Sequence, residues 1–150
     1  MRPFVYAISL LSLLASASAQ RILIGAPSNG SSIASNSSLT VEIDEPVTAT
    51  GAQDVAIVIS LAYCAANDTC ADVSGRLGST LYAGPFSPQF PANTSTTPRA
   101  YPQQNFTVAV PPGLQPGGKA VLSVTHLSLV GAGPFAFLET ANVTLNVADP

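Results

Sequence analysis

Leu39-Thr40-Val41-Glu42-Ile43-Asp44 sets apolar against polar residues in strict alternation, the signature of a strand with one face buried and one in water. Val55-Ala56-Ile57-Val58-Ile59-Ser60-Leu61 is nearly all apolar and rich in β-branched residues, which predicts a central strand covered on both faces. Working outward, Leu77 to Tyr82 alternates weakly. Phe106, Val108 and Val110 alternate with Asn105, Thr107 and Ala109, and Ala141, Val143, Leu145 and Val147 alternate with Asn142, Thr144 and Asn146. Lys119 to Val130 reads as a long strand whose apolar phase slips at His126-Leu127, which predicts a bulge there. Turn signals fill the gaps: Pro27-Ser28-Asn29-Gly30, Thr50-Gly51, Pro111-Pro112-Gly113, Pro116-Gly117-Gly118 and Gly131-Ala132-Gly133-Pro134. No stretch after the N-terminus carries a sustained helical stripe. The pattern predicts an all-β immunoglobulin- or fibronectin-III-like sandwich of about seven strands, with Val55–Leu61 and Leu122–Val130 central. The lack of tryptophan and of a long-range cysteine pair argues against an antibody-type domain.

The first nineteen residues read as a secretion signal. Arg2 is the positive n-region, Phe4 to Leu14 the apolar h-region, and Ala17-Ser18-Ala19 the cleavage pattern before Gln20. The stretch is too short for a membrane anchor. The expected organisation is a signal peptide over 1–19 and one domain over 20–150, exported to the extracellular space. Every asparagine except Asn146 stands in N-x-S/T: Asn29, Asn36, Asn67, Asn93, Asn105 and Asn142. Asn105 and Asn142 fall on the polar phase of their strands, where a glycan has room to project. In an oxidising compartment Cys64 and Cys70, with turn-prone Asn67-Asp68 between them, are expected to form a local disulfide.

Charged residues make up only 9% of the chain and the net charge is −3. That excludes an electrostatic footprint for nucleic acid or an anionic membrane. Catalytic chemistry is hard to assemble. His126 stands alone in mid-strand, without the oriented partner and nucleophile a general base needs, and is expected to be structural. No G-x-S-x-G elbow is present, and Ser60 in an apolar strand has no reason to be activated. Glu42, Asp44 and Glu45 are the densest acidic group. Alternating strand positions followed by Pro46 do not make a calcium loop, so a solvated face is expected. No carboxylate pair sits in a cleft-forming context for glycoside hydrolysis. Secreted copper-dependent polysaccharide oxidases need a histidine at the mature N-terminus, where this chain has Gln20 or Arg21. The expectation is a non-enzyme with no catalytic residue, metal or cofactor. Ala83 to Pro102 is a long Pro/Ser/Thr segment carrying Phe86, Phe90 and Tyr101. These aromatics are candidate contacts for a partner or a sugar; the alternative is that they fold back and cap the sandwich.

With strands and turns placed, the chain resembles the necrosis-inducing secreted protein family of fungal effectors. The resemblance rests on ordered pieces running from Arg21 to Val147. Arg21-Ile22 is followed by Gln53-Asp54-Val55-Ala56-Ile57, then by Leu77-Gly78-Ser79-Thr80-Leu81-Tyr82 leading to Gly84-Pro85. Asn105-Phe106-Thr107-Val108 precedes Val110-Pro111, and Gly117-Gly118-Lys119-Ala120-Val121-Leu122 opens the long strand. Leu127-Ser128-Leu129-Val130-Gly131-Ala132 and Asn142-Val143-Thr144-Leu145-Asn146-Val147 close the series. The resemblance implies a non-enzymatic effector, secreted to the apoplast or reaching the host cell. Such a protein would suppress pattern-triggered immunity by binding and inhibiting host co-receptor and receptor-like kinases. A cell-wall or carbohydrate-binding module without catalysis is the competing reading. The Cys64–Cys70 loop and the Pro/Thr segment are not family-diagnostic.

Overall fold

The computed structural model describes residues 22–47, 51–65, 70, 76–91 and 101–149. The signal peptide and the sequons at Asn67 and Asn93 lie outside the described residues. Eight strands are formed: β1 (Leu23–Ala26), β2 (Ser32–Ala34), β3 (Ser38–Asp44), β4 (Ala52–Cys64), β5 (Ser79–Gly84), β6 (Gln103–Ala109), β7 (Lys119–Val130) and β8 (Phe135–Ala148). They make two sheets, ordered β1-β3-β6 and β2-β8-β7-β4-β5. All pairings are antiparallel except β2 with β8. This is the order of an immunoglobulin-like sandwich whose first strand is split between the sheets. Short β1 and β2, separated by the Pro27–Gly30 turn, escape detection in the sequence because each is too brief to display a period.

The two inner faces interdigitate as alternation demands. Val41 and Ile43 of β3 and Phe106 and Val108 of β6 oppose Ile57, Ile59 and Leu61 of β4, Leu122 and Val124 of β7, and Leu145 and Val147 of β8. Where an antibody domain bolts its sheets with a disulfide, these aliphatic side chains form the seam. The cysteines do something else. Cys64, the last residue of β4, is bridged to Cys70, with the two Cα atoms 5.2 Å apart. With Val121 it forms a small satellite cluster, joined by Ala62 and Cys70.

Two expectations are corrected. β7 runs without interruption alongside β8 from Lys119↔Asn146 to Val130↔Phe135, so it has no bulge at His126. The irregularity lies across the ladder in β4, between Asp54 and Ala56. The apolar phase of β7 does change at that point: Leu122 and Val124 face the interior, and so do His126 and Ser128, while Leu127 and Leu129 face outward. β8 begins six residues earlier than its alternation reveals, because Phe135 and Leu138 are apolar yet exposed.

Candidate functional site

One end of the sandwich gathers the end of β3, the start of β4, the end of β5, the start of β6 and the hairpin joining β7 to β8. The β4 bulge decides its chemistry. Asp54 pairs with Ser128 and Ala56 with Leu127, leaving Val55 as the extra residue. One added residue shifts the side-chain phase, so Asp54 joins the interior phase of Ile57 and Ile59. There it meets His126, which is 2% exposed. His126 Nε2 lies 3.0 Å from Asp54 Oδ1, and Nδ1 lies 3.2 Å from Oε1 of Glu139, its direct partner on β8. With a carboxylate on each ring nitrogen, the imidazole donates at both and is held as the cation. Burial opposes the charge. The hydrogen bonds to Asp54 and Glu139, together with the fields of the two carboxylates, outweigh it and push the pKa up to about 9.

Glu45, just past β3, completes the group. Its pKa is raised by burial first and by the Asp54 charge second, and the charge of His126 opposes the rise. Its backbone N–H donates to Pro102 O at 2.8 Å, which fixes the β3–β4 connection against the strand entering β6. The expected solvated trio of acids is therefore divided. Glu42 and Asp44 lie on the outer phase of β3, where Gln103 Nε2 donates to Glu42 Oε2 at 3.2 Å and burial and Glu42 raise the Asp44 pKa. Glu45 turns to the His126 cluster.

Phe86 roofs that cluster. It is 2% exposed, its ring edge-on to His126 with centroids 5.3 Å apart and 6.5 Å from Phe106. As a partner or sugar contact Phe86 is thus corrected: it takes the capping alternative. Phe90 is 60% exposed, and Tyr101 is half-buried. The three aromatics do not share one surface. Among the described residues no group of His, Cys, Asp and Glu has the arrangement of a metal site. The His126 cluster offers a nucleophile nothing to work with, because both ring nitrogens are committed.

Exposed large hydrophobics concentrate at this end. Leu23, Val47, Val55, Phe90, Phe135 and Leu138, all exposed, lie toward it; of the exposed large hydrophobics among the described residues, only Tyr63 stands at the opposite end. The pairing sets Leu127 between Ala56 and Leu138, and Leu129 between Gln53 and Ala136, on the outer face of the larger sheet. A shallow depression beside them is lined by Gly51, Ala52, Gln53, Leu129, Gly131, Ala132 and Pro134. Of the sequons, Asn29, Asn36, Asn105 and Asn142 are exposed. Asn142 pairs with Ser123, midway along β7, and Asn105 with Glu42 on the other sheet. Neither His126 with its carboxylates nor this apolar end was foreseen. Carrying the interior phase of β7 forward from Leu122 and Val124, and that of β8 back from Val143 and Ala141, would have placed His126 and Glu139 inside.

No helix of the described residues is long and apolar enough to cross a membrane. The family model described as the Nis1 family matches residues 17–146 of the chain. Among curated proteins none matches.

Proposed function

Because the chain belongs to the Nis1 family, we propose that it is a secreted, non-enzymatic effector that binds host immune kinases and lowers their activity. The family match over 17–146 carries the reading. The kinases meant are the co-receptor and receptor-like kinases of pattern-triggered immunity. Physical chemistry supports a binding role. An interface core is poor in charge and rich in aromatic and aliphatic side chains. The sandwich end bearing Val47, Val55, Phe90, Phe135 and Leu138 has that composition. A chain with 9% charged residues has little capacity for electrostatic steering, so affinity would come from apolar burial. Export would follow from the leader, and the glycans at the sequons would keep so uncharged a surface in solution.

The carbohydrate-binding alternative loses ground, since it relied on a platform of Phe86, Phe90 and Tyr101, and Phe86 lies in the core. The test is a pull-down of the mature, glycosylated protein against plant co-receptor kinase domains, with insoluble chitin and glucan in parallel. Capture of a kinase domain with reduced autophosphorylation is expected. Retention on polysaccharide without kinase capture would overturn the reading.

A further inference from the structure

Four strands stand at sheet edges: β1, β6, β2 and β5. Three of them are blunted in ways that discourage pairing with another chain. β1 is short and bulged between Ile24 and Ala26, β2 has three residues, and β5 pairs with β4 across an irregularity at Ile59/Ser60. β6 has none of these devices. It runs for seven residues, Gln103 to Ala109, without a charge or a proline. Its register with β3 is unbroken from Asp44↔Gln103 to Ser38↔Ala109.

The ends of β6 fix which of its groups look outward. Gln103 exchanges both backbone hydrogen bonds with Gln89, at 2.9 and 3.0 Å, so its N–H and C=O point away from β3. Val110 N–H donates to Ser37 O, on the β3 side. Alternation therefore turns the N–H and C=O of Asn105, Thr107 and Ala109 outward. Among the described residues no backbone group bonds them. The chain beside them leaves this window open. The Gln89↔Gln103 bridge is antiparallel, so Phe90 runs back along Pro102, away from Asn105. On its other side Ser87 N–H donates to Gln104 Oε1 as the chain turns in to buried Phe86. Pro111 and Pro112 stop the strand at the far end.

We propose that this window pairs with the same window of a second copy of the chain, antiparallel about a two-fold axis at Thr107. The strand is self-complementary in that register. Thr107 exchanges N–H···O bonds with its own counterpart, and the two hydroxyls form a favourable cross-strand pair. Asn105, exposed and in a sequon, meets the second copy's Ala109, whose small side chain leaves room for a glycan. On the inner phase Phe106 meets the second copy's Val108, so the apolar layer continues from one sandwich into the next. An axis nearer Gln103 would drive the second copy's strand into Gln89, which fixes the register. With no charge on the edge, nothing repels an identical strand. The contact is isologous, the commonest kind among oligomers. It leaves the outer face of the larger sheet uncovered, so this inference is independent of the kinase-binding reading and its test involves no kinase.

Sedimentation velocity of the mature, glycosylated protein over a wide concentration range should show a concentration-dependent dimer. Thr107→Pro removes an outward N–H and leaves the β3–β6 ladder whole. Thr107→Ala is its control, since both substitutions delete the Asn105 sequon. Thr107→Pro should dimerise more weakly than Thr107→Ala by about tenfold or more. Cross-linking tests the register independently. Two residues facing each other in a hydrogen-bonded antiparallel pair have Cα atoms ~5.5 Å apart, within reach of a disulfide. Cys64 and Cys70 are already bridged to each other. Thr107→Cys should therefore give a covalent dimer on a nonreducing gel, and Ala109→Cys, whose two copies lie on either side of the axis, should not. A protein that stays monomeric, equal association of the two uncross-linked variants, or cross-linking of Ala109→Cys as readily as Thr107→Cys would overturn the pairing.

Discussion

His126 is the only histidine of the chain, and its burial between Asp54 and Glu139 makes it an unusually clear probe. Replacing it with alanine leaves two carboxylates facing each other without a counter-charge. Breaking a buried pair from one side costs about 3 kcal/mol or more. Equilibrium urea unfolding of His126→Ala at pH 7 should show a loss of that size. The same pairing sets a pH dependence. The folded-state pKa, about 9, lies above the ordinary 6.5, so the stabilisation is complete below pH 6.5 and disappears as pH climbs through 9. The wild type should unfold at lower urea concentration at pH 9.5 than at pH 7, and His126→Ala should lose much of that difference. An imidazole Cε1–H resonance titrating near 6.5 would contradict the assignment.

Among the elements, β4 does the most with the least sequence signal. Its apolar run is plain in the sequence and so is its central position. Its bulge is not, because Val55 is as good a strand residue as its neighbours and nothing in composition marks it as the extra one. Deleting Val55 should restore an unbroken ladder and leave Asp54 opposite Ser128, still on the inner face. His126 would keep both Asp54 and Glu139, so its titration should stay near 9, read from the same imidazole resonance, whereas Asp54→Asn, which removes one carboxylate, should move it down toward 6.5. Strands with a buried face, β3, β6, β7 and the second half of β8, were legible from alternation alone. The first half of β8 was not, because its exposed apolar residues break the rule that alternation relies on. The His126 cluster was hidden for a different reason: Asp54 and His126 are far apart in sequence, and only strand pairing brings them together. At the far end of β4 the Cys64–Cys70 bridge closes a short loop. The chain-entropy model credits so small a loop with about 2 kcal/mol. Cys64→Ser/Cys70→Ser should lose stability of that order by thermal unfolding while keeping a β-sheet circular dichroism spectrum.

Taken as a whole, the molecule is polarised. One end is joined covalently at Cys64–Cys70; the other is held by a charged cluster and clothed in exposed apolar side chains. The cluster's charge is internal, and a partner docking on the outer face of the larger sheet at this end would meet Leu127, Leu129 and Leu138, while Glu42 and Asp44 lie on the outer face of the other sheet. Two consequences separate this mode from electrostatic capture. Binding to a kinase domain should change little between low and high salt, since screening acts on charged contacts and few are available. A single charge placed in the patch should be far more damaging, because docking would desolvate it without a counter-ion. Leu138 is 66% exposed and contributes little to the core, so Leu138→Asp should leave thermal unfolding nearly unchanged. It should weaken kinase-domain binding more than tenfold, or about 1.4 kcal/mol, by calorimetry or surface plasmon resonance. Thr144→Ala, which deletes the Asn142 sequon on the same sheet, should not reproduce that loss, because Asn142 pairs with Ser123 well away from Leu138 and Leu127. Equal binding by the wild type and Leu138→Asp, with a steep salt dependence in both, would move the contact off this end of the sandwich.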